Sequence, residues 1–410
     1  MSSLEVHGTV SPGFESIRQT FGLGQSGDIG GAQLAIYDHG VKVVDLWTGS
    51  DPVRGQTFPE DGLVVFMSAT KGLTAIVAHL LIQRGLLDVD APVSKYWPEF
   101  AKNAKEKITT RMFLNHTSGL AALPAEANIT ITDVTDSEKI IHVIEDMMPF
   151  WEPGTAFFYH AFTYGHLVGE VVRRITGRTV GQYFREEIAQ SRGLDLWIGL
   201  PEALEPRVVP WTEKTALLPA PGSVIPELPA PVAPSQPPFD MSAIPLGAAL
   251  GAVMMMEKDM RPFMNSRQGH ACEIPAANGI GDARSLAKLY ASLLGSVDSH
   301  PQLLDHATVR TAMVAQTDDL TFPHPFNLLP LPRSRMALGF QLCRPACPML
   351  GPSLVGHPGA GGRLAFADLD SGISVGYVCT NPIWEPEKGK PDPRWAPWME
   401  ALKEIIERKE

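Results

Sequence analysis

Ser68-Ala69-Thr70-Lys71 follows the apolar run Leu63-Val64-Val65-Phe66-Met67 and opens a stretch, Leu73 to Arg84, whose apolar spacing predicts a helix. Side chains three residues apart on a helix are neighbours, with about 5–6 Å between Cβ atoms, so Lys71 falls beside the Ser68 hydroxyl. A serine is a weak nucleophile at neutral pH until a neighbour takes its proton, and a lysine can do so once burial or a positive helix end lowers its pKa. The chemistry such a pair could perform is attack by a serine on a carbonyl. The same four residues also fit an ordinary helix start with a surface lysine.

Two further stretches could complete that chemistry. Trp151-Glu152-Pro153-Gly154-Thr155-Ala156-Phe157-Phe158-Tyr159-His160-Ala161 precedes a helical pattern from Tyr164 to Thr176. A tyrosine presented on such a loop can share the proton of a nearby serine and lysine and return it to a leaving group; it fits an aromatic core position as well. Gly356-His357-Pro358-Gly359-Ala360-Gly361-Gly362 leads into a strand pattern, Arg363 to Asp368. Its glycines let the backbone approach a ligand closely, and an N–H there could form an oxyanion hole with the N–H of Ser68, although a plain turn has the same composition.

The elements that must hold these residues can be traced along the chain. Ala32–Tyr37 and Val41–Trp47, joined through Asp38-His39-Gly40, form one hairpin; Arg363–Asp368 and Ile373–Val378, joined around Asp370-Ser371-Gly372, form another. Between them lie helical patterns at Leu73–Arg84, Tyr164–Thr176 closed by Gly177, Val180–Gln190 and Ser285–Leu294, and a last one follows at Trp398–Arg408. Strands at both ends with helices between predict an α+β fold: an antiparallel sheet built from both termini, flanked by helices, with a mainly helical subdomain inserted. We place one catalytic domain over residues 10–408 and the helical subdomain over about 111–240. The stretch 219–238 holds eight prolines in 20 residues, so it reads as a surface loop or lid. Met254-Met255-Met256 beside it could add a pliable apolar wall for an acyl chain, although methionines are more often core.

Composition narrows the function further. With 44% hydrophobic and 19% charged residues among 410, the chain has the make-up of a soluble globular protein. Its 34 basic against 45 acidic residues give a net charge of −11, which leaves no footprint for nucleic acid or an anionic membrane surface. No apolar run approaches the roughly 20 residues of a membrane span, and Met1-Ser2-Ser3-Leu4-Glu5-Val6-His7 has neither the basic nor the apolar part of a secretory signal, so a cytoplasmic location is expected. Cys272, Cys343, Cys347 and Cys379 are expected as free thiols, and the Cys343/Cys347 spacing finds no second pair or histidine to complete a zinc site. Gly22-Leu23-Gly24-Gln25-Ser26-Gly27 fits the dinucleotide pattern but follows a helical stretch instead of a strand. Neither a G-x-S-x-G elbow nor an H-E-x-x-H zinc motif occurs. No metal and no cofactor is expected.

Taken in order, Ser68-x-x-Lys71, Tyr159-His160-Ala161 and His357-Pro358-Gly359 resemble the three motifs of the serine β-lactamase and penicillin-binding-protein superfamily, and within it the class C-like esterases and transesterases, including family VIII carboxylesterases. Gly85–Val93, Leu114-Asn115-His116-Thr117-Ser118-Gly119-Leu120 and Glu273–Gly279 extend the resemblance, which covers about residues 10–408. It implies Ser68 as nucleophile, Lys71 and Tyr159 as the general base and acid pair, and the backbone N–H groups of Ser68 and Ala360 as oxyanion hole. It also implies His357, Gly359, Trp151 and His160 beside the substrate. Two departures bear on specificity. Where the family's penicillin binders carry a lysine for the substrate carboxylate stands His357, whose ordinary pKa of about 6.5 leaves it mostly neutral. Ala161 lacks the amide with which an asparagine would hold an acylamino group. Both favour neutral esters over β-lactams. The implied activity is a carboxylesterase working through an acyl-serine on a small-molecule ester. The alternatives are an acyltransferase passing the acyl group to a small alcohol in a secondary-metabolite pathway, a weak β-lactamase or D-aminopeptidase-type amidase, and a non-catalytic binding protein. The oligomeric state is not legible in the sequence.

Overall fold

The two hairpins expected near opposite ends of the chain pair with each other. The computed structural model describes residues 4–51, 53–130, 133–212, 260–324, 327, 333–343, 349–383 and 391–409. Strands β1 (Val6–Val10), β2 (Gly31–Asp38) and β3 (Val41–Asp51) come from the N-terminal part, with a two-residue β4 (Gln56–Thr57) on β3. A second, three-stranded sheet joins β5 (Val64–Val65) and β6 (Leu196–Trp197) to a shared partner, β7 (Ile280–Gly281). The C-terminal part supplies β8 (Leu354–Gly359), β9 (Arg363–Asp368) and β10 (Ile373–Cys379). The main sheet runs β1-β3-β2-β10-β9-β8 with every pairing antiparallel, so β8 forms its edge. Strands β1 and β8 were not marked by apolar alternation: β1 carries Gly8, and β8 ends in His357-Pro358-Gly359.

Alternation with period two divides the sheet between two cores. One face turns Leu34, Ile36, Leu364, Phe366, Val375 and Tyr377 onto α1 (Glu15–Gly24) and the C-terminal helix (Ala396–Glu407). The opposite face offers small residues, Ala35, Ala365, Ala367 and Gly376, to the helix Ala283–Leu294. A methyl group at Gly376 would lie 2.2 Å from Ala283 O, so the lack of a side chain is what lets that helix lie against the sheet. Gly22 and Gly24 of the dinucleotide-like pattern lie within α1.

The helix α2 (Thr70–Gln83) is buried from Thr70 to Leu81 on all sides, as an apolar sequence without a polar face requires. The helix α3 (Thr163–Thr176) ends at Gly177, which adopts φ +69. That left-handed conformation favours glycine and stops the helix. The Pro-rich stretch 219–238, Met254–Met256 and Cys347 lie outside the described residues. Cys272 and Cys379 are free thiols. Among the described residues no helix is long and apolar enough to cross a membrane.

Candidate active site

Ser68 lies in a single 3-10 turn, Met67–Ala69, at the mouth of α2 and is partly exposed. The turn begins at Met67 with φ +51, a conformation that costs a side-chain-bearing residue on the order of 1–3 kcal/mol and persists only where surrounding contacts hold it. Those contacts are present: Phe66 N donates to Gly279 O at 2.9 Å, Thr70 Oγ1 donates to Met67 O at 2.5 Å, and Gly279 N donates to Thr70 Oγ1 at 2.8 Å. The strand pair β5–β7 therefore delivers the serine to the start of the helix.

One turn on, Lys71 is 0% exposed, and its Nζ stands 3.5 Å from Ser68 Oγ. It donates to Ala161 O at 2.8 Å and Ala276 O at 2.9 Å, two carbonyls rather than a carboxylate. Burial holds its pKa well below the ordinary lysine value, which favours the neutral amine that can accept a proton. Tyr159 is partly exposed, with its ring centroid 4.8 Å from Lys71 Nζ. Ser68, Lys71 and Tyr159 thus meet, although they come from a helix mouth and from a loop some 90 residues away.

Behind them stands a wall that sequence reasoning did not assign. The His116 ring lies 4.9 Å from that of Tyr159 and 5.3 Å from that of Tyr164, whose centroid is 5.7 Å from Lys71 Nζ. His116 adopts φ +65 and accepts from His160 N at Nδ1, 3.1 Å away, while burial keeps it neutral by pushing its pKa well down. Burial pushes the Tyr164 phenol well up, so it keeps its proton. Tyr290, also fully buried, places its hydroxyl 2.0 Å from where a methyl on Gly72 would be, so a side chain beside Lys71 is excluded. His116 lies within the Leu114–Leu120 segment of the family resemblance, but no local pattern marks Tyr164 or Tyr290.

The remaining expected residues divide. A methyl at Gly359 would sit 2.2 Å from Phe66 O, so the end of β8 lies directly against the backbone that leads to Ser68. Ala360 follows it, partly exposed. His357 is 1% exposed, donates from Nδ1 to Pro358 O at 2.7 Å, and has its ring 6.1 Å from that of Tyr159. His160 is 0% exposed; Nε2 is 2.8 Å from Ser118 Oγ and Nδ1 is 2.7 Å from Phe158 O. Both nitrogens serve the protein interior, so His160 supports the loop from behind instead of lining the open site. Trp151 packs edge-on against His160, with ring centroids 6.2 Å apart, and donates to Ala156 O at 3.0 Å. Among the described residues no group of three or more His, Cys, Asp or Glu side chains could hold a metal ion.

The chain as a whole is similar to known proteins. Esterase/beta-lactamase LipL of Mycobacterium tuberculosis is 29% identical over 402 residues, 91% of this chain and 82% of the relative. EstA from Arthrobacter nitroguajacolicus Rue61a is 30% identical, with 98% of each chain covered and a TM-score of 0.79. A family VIII carboxylesterase is 28% identical, with 98% of this chain and 100% of that one covered and a TM-score of 0.80. Residues 17–396 match the family described as Beta-lactamase. With a match of that extent and an antiparallel sheet flanked by helices, the chain belongs to the Beta-lactamase family.

Proposed function

We propose that this protein is a serine carboxylesterase that cleaves neutral small-molecule esters through an acyl group on Ser68. The observation that carries it is Lys71: a fully buried amine 3.5 Å from the Ser68 hydroxyl and bonded to carbonyls, with its charged form disfavoured. Lys71 takes the hydroxyl proton as Ser68 Oγ bonds to the ester carbonyl carbon. The carbonyl π electrons move to oxygen, and the resulting oxyanion is held by the N–H groups of Ser68 and Ala360. Collapse breaks the C–O bond, and the proton returns through Lys71 and Tyr159 to the leaving alcohol. Water then attacks the acyl-serine by the reverse relay and releases the acid. His357 is not a permanent cation and Ala161 has no amide, which supports neutral esters as substrates.

The test is hydrolysis of short-chain p-nitrophenyl esters by the wild type and Ser68→Ala, with mass spectrometry for an acyl adduct on Ser68. Activity and adduct that both vanish in Ser68→Ala are expected. Turnover that survives the substitution overturns the assignment. The same assay run with an added alcohol separates hydrolysis from transfer, since a transferase would give ester product at the expense of free acid.

A further inference from the structure

Loop 359–362 contains three glycines, and Gly361 and Gly362 adopt φ +81 and +105. Such a segment has little conformational preference of its own, so something else must aim its peptides. The carbonyls of three successive residues each accept from a buried side chain. Arg363 Nη1 donates to Ala360 O at 3.1 Å, Arg394 Nη2 to Gly361 O at 2.8 Å, and Trp395 Nε1 to Gly362 O at 2.8 Å. Gly362 N in turn donates to Gly359 O at 3.2 Å, which fixes the peptide that carries the Ala360 N–H. The guanidinium groups pack on the glycines themselves: methyl groups at Gly361 and Gly362 would lie 2.3 Å from Arg363 Nη1 and 2.0 Å from Arg394 Nη2.

The two arginines are both 0% exposed but are held differently. Arg394 is paired with Asp392 at 2.6 Å and with Asp28 at 3.4 Å. Arg363 has the Ala360 carbonyl, while its Nε and Nη2 have no hydrogen-bond partner among the described residues; its guanidinium lies 4.6 Å from the Trp211 ring centroid. Trp211 Nε1 donates to Val65 O at 3.2 Å, three residues before Ser68. A buried guanidinium with unmet donors is costly for stability, so its retention here calls for a role. Its contacts join the strand leading to Ser68 and the loop carrying Ala360.

We infer that Arg363, Arg394 and Trp395 are positioning residues that turn the carbonyls of loop 359–362 inward and thereby aim the Ala360 N–H at the oxyanion formed on Ser68. The inference rests on the acyl-serine function proposed above. The segment that follows the main sheet is thereby part of the active-site apparatus.

The test uses Arg363→Met, which keeps the volume and removes the donor, Arg363→Lys, which keeps a cation, and Trp395→Phe, which deletes one N–H. Removing an oxyanion donor outright costs about 10²–10³ in kcat, and misaiming one costs part of that. Arg363→Met and Trp395→Phe should lower kcat about 10–100-fold with KM unchanged, and Arg363→Lys should stay within about 5-fold of wild type. Phenylboronic acid, whose tetrahedral adduct on the serine places an oxygen in the hole, should lose affinity by the same factor as kcat. Unchanged kcat and boronate affinity in Arg363→Met and Trp395→Phe overturn the inference. So does a kcat loss with boronate affinity intact, since that marks a general structural effect. If Arg363→Met does not fold, Trp395→Phe decides by the same criteria. Failure of a fluorophosphonate to label Ser68 in the wild type would instead overturn the acyl-serine function itself, and this inference with it.

Discussion

Gly359→Ala is the most direct probe of how closely β8 is fitted to the segment that carries Ser68. The added methyl would lie 2.2 Å from Phe66 O, 3.0 Å from Arg363 Cβ and 3.2 Å from Phe66 C, whereas ordinary contacts begin at 3.4 Å. Two of these atoms are backbone, which cannot rotate away, so β8 and the Phe66–Ser68 segment must separate by about 1 Å. Phe66 is two residues before Ser68 and Gly359 is one before Ala360, so the displacement falls on both halves of the proposed oxyanion hole. A misplacement of that size costs about 10²-fold in rate, and overpacking costs about 1–3 kcal/mol in stability. The assay is p-nitrophenyl acetate hydrolysis together with urea unfolding of the wild type, Gly359→Ala and the control Gly351→Ala. In the control, the nearest atom to the added methyl is Asp368 Oδ1 at 3.8 Å. A Gly359→Ala enzyme with kcat within twofold of wild type and undiminished stability would refute the argument that close backbone approach sets this site.

Lys71→Arg fixes a permanent charge where the proposed mechanism needs a proton acceptor, so kcat should fall by about 10³ or more, and the acid limb of the wild-type kcat/KM profile should lie below the ordinary lysine pKa of about 10.4. A limb at the ordinary value would show that the amine is not desolvated. If Lys71 and Tyr159 act as one relay, their single and double losses should be strongly non-additive in kcat, and simple additivity would remove the shared role. His357→Lys should raise nitrocefin hydrolysis by supplying a cation for the substrate carboxylate; no gain would count against charge as the basis of ester preference. Acid stability follows from buried imidazoles: burial pushes His79, His160 and His166 down to about 4 and His116 well down, so they stay neutral in the fold where unfolded histidines protonate. Unfolding then takes up protons, so stability is full above about pH 6.5 and falls toward pH 4, with a slope on the order of 4 kcal/mol per pH unit near pH 5. Urea unfolding at stepped pH reads this slope, and a flat profile between pH 5 and 6.5 would contradict it.

Local geometry wrote much of this protein into its sequence. The i, i+3 spacing of Ser68 and Lys71 needs only a helix to bring the two side chains together, and the apolar run ahead of them marks the buried start of α2. Gly177 ends α3 because a left-handed residue follows the last turn, a rule confined to a few residues. The two hairpins were legible from turn residues between alternating runs. Contacts between distant segments were not. The carbonyls that hold Lys71 lie 90 and 205 residues away in the chain, and without them its burial and its lowered pKa have no local signature. His160 illustrates the same limit: it neighbours Tyr159 in sequence yet faces Ser118, because which neighbour turns inward depends on what packs behind the loop. Tyr164 and Tyr290 read as ordinary helix residues until folding sets the first beside Lys71 and the second against Gly72. Arg363 and Arg394 read as surface charges by type, and only the sheet and the segment after it bury them under loop 359–362. The sequence alone thus determined which groups could react, since reactivity and i, i+3 proximity are local properties. The tertiary structure decided their protonation, their orientation and their supports, since desolvation and backbone aim arise where segments far apart in the chain close around one another.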